Sequence, residues 1–241
     1  MESIAQRLQA VRRRIEEAAR RAGRDPSSVA LVAVSKGVDP ARLREAYACG
    51  QRLFGENRVQ DLVAKAEALA DLAGGAGGPP EGGLQWHMVG HLQRNKAKHV
   101  ARLVTLLHSL DSLPLAQELE RHLERLDRTL DVLVEVNTSG EPTKWGVAPD
   151  EARELVQAVS ALTRLRVVGL MTVGPLTDDR EAVRRAFRTL RLLRDRIREE
   201  GVAGPHFVHL SMGMSADFEL AVEEGATLVR VGTAIFGPRS A

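Results

Sequence analysis

Residues 29–57 read VALVAVSKGVDPARLREAYACGQRLFGEN. The run 29–35 is short, rich in valine and free of charge, which predicts a fully buried β-strand. A helical segment at 40–49 follows it, and a second strand follows at 52–55. Strand, helix and strand in this order predict two parallel strands that are joined by a crossover helix.

The same alternation continues along the chain and gives eight predicted strands with helices between them. Eight is the strand number of a closed (β/α)8 TIM barrel, which we therefore predict as a single domain over residues 1–241. A doubly wound open sheet is the alternative. The predicted strands are 29–35, 52–55, 84–90, 104–110, 130–137, 165–172, 206–211 and 227–231. The predicted helices between them are 40–49, 58–72, 93–100, 115–126, 150–162, 180–199 and 216–224.

The two ends of the chain complete the predicted ring. Residues 3–21 carry apolar side chains at spacings of three and four, which predicts an amphipathic helix. Only a short tail, 233–241, follows the eighth strand. We therefore expect the first helix to occupy the place of the missing last barrel helix. The segment 74–83, GGAGGPPEGG, is too rich in Gly and Pro for regular structure and predicts a flexible loop.

Composition excludes several classes of protein. Apolar residues make up 44%, which is enough for a full core, whereas 3% aromatic residues and a net charge of +2 disfavour a nucleic-acid-binding surface. The single cysteine, Cys49, cannot form an internal disulfide, and no apolar run is long enough to span a membrane. His87 and His91 lack the glutamate of a zinc-protease helix, so we predict no metal site. We expect a cytoplasmic protein.

Polar residues follow the predicted strands at the end where a barrel carries its active site. Lys36 follows the first strand, and it is one of five lysines among 34 basic residues. Unlike the guanidinium of arginine, the amine of lysine can lose its proton and condense with an aldehyde. The alternative is a lysine that only extends its charge to water. The other polar residues at strand ends are Glu56, Asn57, His91, Ser109, Asp111, Asn137, Thr172, Ser211 and Arg230.

The last two strand ends suit a phosphate group. The segment from Ser211 to Ser215 contains a glycine for a tight turn, and Ser215 can cap a helix whose free N–H groups face an anion. The segment 230–233, RVGT, follows the eighth strand, and barrels often bind phosphate after strands seven and eight. A capped helix and a tight turn without a ligand are the alternative. Together with the amine of Lys36, these loops predict a phosphate-bearing aldehyde, of which pyridoxal 5′-phosphate is the common one.

Six segments carry a family resemblance that covers nearly the whole chain from residue 30 onward. They are AVSKG (33–37), FGENRVQD (54–61), WHMVGHLQRNK (86–96), EVNTSGEPTKWG (135–146), GLMTV (169–173) and HLSMGMSADFELAVEEGATLVRVGTAIFG (209–237). With these segments the chain resembles the family of pyridoxal phosphate homeostasis proteins. The resemblance implies the barrel fold of the alanine racemase N-terminal domain, which agrees with the strand count.

The resemblance implies a role for individual residues. Lys36 would form the internal aldimine with pyridoxal 5′-phosphate, and Arg230 would face the pyridine nitrogen. Ser211 and the Gly232-Thr233 backbone would hold the phosphate. The implied cofactor-binding residues are thus Lys36, Asn57, Ser211, Arg230, Gly232 and Thr233.

Three further positions bear on the resemblance. Lys144 matches a family lysine that is suggested to help in handling the vitamer. Arg58 stands where the family often has tyrosine, and Gly37 where threonine is frequent. These two departures concern details of the cofactor contact and not the covalent bond to Lys36.

An arginine beside the pyridine nitrogen keeps that nitrogen unprotonated, which weakens carbanion chemistry. Racemases of this fold also use a tyrosine from a separate C-terminal domain, which is absent from these 241 residues, and Tyr47 lies in a predicted helix. Lys144 and His91 remain as substitutes. We therefore predict a non-catalytic, monomeric carrier of pyridoxal 5′-phosphate that serves vitamin B6 homeostasis and apo-enzymes. The alternatives are a low-activity, pyridoxal phosphate-dependent amino-acid racemase and an interaction domain in which Lys36 is incidental.

Overall fold

Eight parallel strands form a closed barrel in chain order. The structure is a computed structural model that describes residues 2–73 and 82–238. Each strand pairs with the next, and β1 pairs with β8, so the ring is closed and the open-sheet alternative is excluded. The strands are β1 (Ala30–Val34), β2 (Leu53–Glu56), β3 (Gln85–Met88), β4 (Leu106–Leu110), β5 (Leu130–Glu135), β6 (Leu165–Met171), β7 (His209–Ser211) and β8 (Leu228–Val231).

Helices surround the barrel and alternate with its strands, which confirms the predicted (β/α)8 fold. Short 3-10 turns at Pro26–Ser28 and Arg94–Lys96 precede β1 and α5. The helices are α1 (Ile4–Arg21), α2 (Pro40–Ala48), α3 (Val59–Ala68), α4 (Ala70–Ala73), α5 (Ala97–Leu103), α6 (Leu113–Leu126), α7 (Ala152–Ser160), α8 (Arg180–Glu199), α9 (Phe218–Glu223) and α10 (Thr233–Phe236).

The first helix closes the outer ring, as predicted. Ser3 caps it: its hydroxyl accepts from the Gln6 backbone N–H at 3.2 Å, and the Gln6 side chain accepts from the Ser3 N–H at 2.9 Å. The helix packs against α2 on one side and against α9 and α10 on the other. Its buried side chains are Ile4, Leu8, Val11, Ile15, Ala18 and Ala19.

Two apolar layers lie on opposite faces of the strands. The larger layer fills the space between the barrel and its helices, and the smaller one lies inside the barrel. Because side chains two residues apart share one face of a strand, His108, Glu135 and Arg230 lie beyond this inner layer, toward the carboxyl ends. The inner layer contains Val32, Val89, Leu106, Leu133, Val168, Met171 and Leu228.

Two further points concern the predicted loop and membrane-spanning helices. The predicted loop at 74–83 falls almost entirely outside the described residues, which begin again at residue 82. Within residues 2–73 and 82–238, no helix combines the length and the apolar character that a membrane span requires.

Candidate functional site

Lys36 lies in the turn that directly follows β1. Its side chain is exposed, and the turn is closed by a hydrogen bond from the Val38 N–H to the Ser35 carbonyl at 2.9 Å. Gly37 has a φ of +71°, which glycine adopts without strain. Because Val32 on β1 pairs with Arg230 on β8, Lys36 follows β1 at the side of the barrel mouth next to Arg230.

A continuous chain of hydrogen bonds crosses the barrel interior below this mouth. Arg230 donates through Nη1 to the Ser211 hydroxyl at 2.6 Å and through Nη2 to the Thr172 carbonyl at 2.8 Å. The Ser211 hydroxyl lies 2.8 Å from Nδ1 of His108, and Nε2 of His108 lies 3.0 Å from Nδ1 of His87. All five residues are buried.

The direction of this chain follows from its members. Burial lowers the pKa of His87 to about 3 and the pKa of His108 well below its usual value, so both rings are neutral at pH 7. Since arginine can only donate, the Ser211 hydroxyl is free to donate to Nδ1 of His108. His108 then carries its proton on Nε2 and donates it to His87. Burial lowers the pKa of Arg230 to about 10, so this guanidinium remains charged.

Glu135 is a second buried ionisable group in the same region. It ends β5 and is only 6% exposed, and its Oε2 atom has no hydrogen-bond partner among the described residues. Burial raises the pKa of Glu135 to about 7, Arg230 lowers it and Asp111 raises it further. This carboxyl group therefore changes its protonation near neutral pH.

Backbone N–H groups converge on Ser215 after the last two strands. The Ser215 hydroxyl accepts from the N–H groups of Gly232 and Ala234, each at 3.3 Å. Gly213, with a φ of +92°, allows the tight turn, since a Cβ there would lie 2.5 Å from the Cβ of Ala221. Converging N–H groups of this kind suit an anion.

The structure separates the two serines of this segment. Ser211 faces the barrel interior and binds Arg230 and His108, while Ser215 lies on the amides that suit an anion. Thr233 begins α10 beside these amides and is exposed. Ser211 thus holds Arg230 in this structure, and its predicted role in holding phosphate stays a prediction.

Asn57 lies at the mouth between β2 and β3. A Cβ at Gly90 would clash with the Asn57 carbonyl, so the two loops are in close contact. The Oδ1 atom of Asn57 is buried and has no partner within the part of the chain that the structure describes. A buried acceptor without a partner is costly, which favours a ligand contact at this position.

The loop between β5 and α7 lies on the other side of the mouth. Lys144 donates to the Gly174 carbonyl and to the Glu141 carboxylate, both at 2.8 Å. Trp145 stacks on His91, with ring centroids 3.6 Å apart and planes 9° apart, although 60% of its surface remains exposed. Both predicted substitutes for a catalytic tyrosine, Lys144 and His91, are therefore engaged in contacts within this loop region.

Sequence reasoning missed His108 and Glu135 as site residues. It named Ser215 at an anion site as a helix cap, whereas the Ser215 hydroxyl binds the amides of Gly232 and Ala234. His108 and Glu135 belong to strands that are buried on both faces, where the sequence does not show which side chains point inward. The signal that could have found them is the alternation of inward and outward side chains along β4 and β5, counted from one residue that is known to face the barrel interior.

Comparison with known proteins agrees with the barrel fold. The family model described as the alanine racemase N-terminal domain matches residues 6–240. A structure of alanine racemase from Corynebacterium glutamicum superposes with a TM-score of 0.64 at 18% identity, covering 97% of this chain and 62% of that one, and shows the shared fold.

Closer relatives define the family within this class. The pyridoxal phosphate homeostasis protein of Aquifex aeolicus is 47% identical over 98% of this chain and 99% of its own length. The protein of the same name from Escherichia coli K12 is 39% identical over 99% of this chain and 98% of its length. PipY of Synechococcus elongatus, solved with PLP bound, has a TM-score of 0.82 and 36% identity, covering 98% of this chain and all of that one (100%). The chain belongs to the family of pyridoxal phosphate homeostasis proteins, which confirms the resemblance.

Proposed function

We propose that this protein binds pyridoxal 5′-phosphate covalently through Lys36 and holds it for vitamin B6 homeostasis as a cofactor carrier. The observation that carries the proposal is the buried, charged guanidinium of Arg230 next to the strand end that bears Lys36. The family membership and the PLP bound to PipY support it.

The chemistry of the site fits this cofactor. The exposed amine of Lys36 can condense with the aldehyde carbon of pyridoxal 5′-phosphate, so that a C=N bond forms and one water molecule leaves. The amides of Gly232 and Ala234, together with the Ser215 hydroxyl, can bind the phosphate group of the cofactor. Thr233 stands between these two amides in the sequence. The unpartnered Oδ1 of Asn57 is available to the bound cofactor.

Arg230 favours a carrier over an enzyme. Its guanidinium can only donate, so it stabilises a pyridine nitrogen that carries no proton. A ring in this state withdraws electrons poorly and does little to stabilise a carbanion. We propose that the family's homeostasis role is non-catalytic in this chain and that the exposed turn of Lys36 gives recipient apo-enzymes access to the cofactor. A monomeric state and a cytoplasmic location stay predictions.

One observation keeps a low-activity amino-acid racemase as the second candidate. Glu135 is a buried carboxyl with a pKa of about 7 near Arg230, and such a group can exchange a proton near neutral pH. A chiral assay with amino acids on the loaded protein separates the two functions. Turnover of about 1 s⁻¹ or faster, which is ordinary for enzymes, would contradict the carrier function.

The covalent site is tested by reduction and peptide mapping. The protein is incubated with pyridoxal 5′-phosphate, its visible spectrum is recorded, and borohydride is added. We expect a pyridoxyl group on Lys36, lost in Lys36→Arg and kept in the control Lys98→Arg, which changes an exposed lysine on α5. An unmodified protein, or equal modification in Lys36→Arg, would contradict the proposal.

A further inference from the structure

Three buried polar residues form a cluster next to the turn that carries Lys36. Ser35 precedes this turn, Glu56 ends β2 and Lys65 belongs to α3; they are 0%, 0% and 7% exposed. The Ser35 hydroxyl donates to Oε1 of Glu56 at 2.6 Å. The Lys65 ammonium donates at 2.5 Å to the same oxygen and at 2.5 Å to the Ser35 carbonyl. Both members of the ion pair therefore bind Ser35.

This cluster lies outside the barrel interior. The neighbouring residue Gly55 faces inward, since a Cβ there would meet the side chains of Val32 and Val89 in the inner layer. Adjacent residues of a strand point to opposite faces, so Glu56 points outward to α3. The ion pair is thus not a direct part of the pocket that the inward-facing side chains line.

Burying an ion pair costs free energy that its own attraction does not reliably return. Around this pair the sheet–helix layer is filled with apolar side chains, including those of Phe54 and Leu62. What the pair fixes is Ser35, whose carbonyl accepts from both Lys65 and the Val38 N–H. These two bonds tie down the base of the turn from which Lys36 projects.

We propose that Glu56 and Lys65 are positioning residues that hold Ser35 and thereby set where the Lys36 amine meets its aldehyde. The chemical part of this proposal rests on the proposed function of Lys36. The structural part, that the pair fixes the 35–38 turn, does not depend on that function.

The test compares variants of the full chain. The double variant Glu56→Gln/Lys65→Met removes both charges and leaves no buried charge unpaired, while Ser35→Ala is a smaller change that removes only the hydroxyl bond. Glu224→Gln is the matched control, because Glu224 is also a buried carboxylate (4% exposed). It binds Arg184 and Arg188 at the end of α9, near the amino ends of the strands.

Two measurements are made on each variant. In the cofactor-free protein, we expect faster hydrogen exchange of the Val38 N–H in the double variant and in Ser35→Ala. With pyridoxal 5′-phosphate, we expect the rate constant for modification of Lys36 to fall about tenfold or more in the double variant, as for a misplaced reacting group. Binding of pyridoxamine 5′-phosphate, which has no aldehyde, is expected to stay unchanged, and Glu224→Gln is expected to lower only the melting temperature.

Each outcome decides the proposal. Unchanged Val38 exchange in both variants of the cluster would overturn it, and so would equal losses of pyridoxamine 5′-phosphate affinity and of modification rate. If the native protein is not modified at Lys36, the proposed function fails, and Val38 exchange alone decides the positioning role. Should the double variant not fold, Ser35→Ala provides both measurements.

Discussion

At the scale of single residues, the sequence allowed some of the polar side chains of the site to be predicted and others not. Lys36 follows β1 and Arg230 is the penultimate residue of β8, so the barrel prediction alone placed both near the carboxyl ends of the strands. His108 lies within a strand, and its role depends on contacts with Ser211 and His87 from two other strands. Those contacts depend on the barrel register, which the sequence does not contain.

The raised pKa of Glu135 predicts that the stability of the folded protein depends on pH. Its folded-state pKa of about 7 lies above the ordinary 4.5, so between these values the folded state binds more protons and stability falls as pH rises. Glu135→Gln is expected to remove this loss, making the variant more stable than the native protein at pH 8 by up to about 3 kcal/mol, with a smaller gain at pH 5. Urea unfolding at both pH values measures it. Parallel stability changes in the two proteins between pH 5 and 8 would contradict the shifted pKa.

At the scale of elements, the strands and helices were predicted well because most are buried on a regular pattern. The long helix at 180–199 was predicted with its observed bounds, since six apolar side chains recur on one face. The prediction for the seventh strand, 206–211, was too long. The strand begins at His209, because the Phe207 N–H binds the Gly204 carbonyl in a turn, and an apolar residue in a turn resembles one in a strand.

At this scale, the geometry of the loop between β7 and α9 predicts how a substitution at Gly213 affects stability and phosphate binding. Gly213→Ala places a Cβ 2.5 Å from the Cβ of Ala221 and forces a φ of +92° on a residue with a side chain. We expect a loss of about 1–3 kcal/mol in stability and weaker phosphate binding, because Ser215 follows on the same turn. Thermal melting and titration with pyridoxamine 5′-phosphate measure the two effects. Gly204→Ala, where a Cβ meets nothing, is the control; equal effects in both variants would refute the strained turn.

At the scale of the whole molecule, α1 completes the ring of helices. In this fold each strand is followed by a helix that packs on the outside of the barrel. The helix α1, which precedes β1, takes this position after β8 by packing on α9 and α10. The sequence allowed this prediction because the tail after the last strand is short.

The closing role of α1 predicts a large effect from one side chain. Leu8 is 1% exposed, and Leu8→Ala is expected to cost about 2–5 kcal/mol. Gln9→Ala, at the next and exposed position, is expected to change stability little. Urea unfolding followed by circular dichroism measures both variants, and a single transition is expected in each. A separate early transition in Leu8→Ala would show that α1 unfolds apart from the barrel.

The apolar layer inside the barrel limits the route by which a ligand can enter and leave. Val32, Leu133 and Leu228 fill the interior below Arg230, so a ligand at the mouth has one route in and the same route out. If the protein is the proposed carrier, it cannot bind one cofactor molecule and release another at the same time. On the proposed function, a protein that receives the cofactor approaches the same face through which the cofactor arrived.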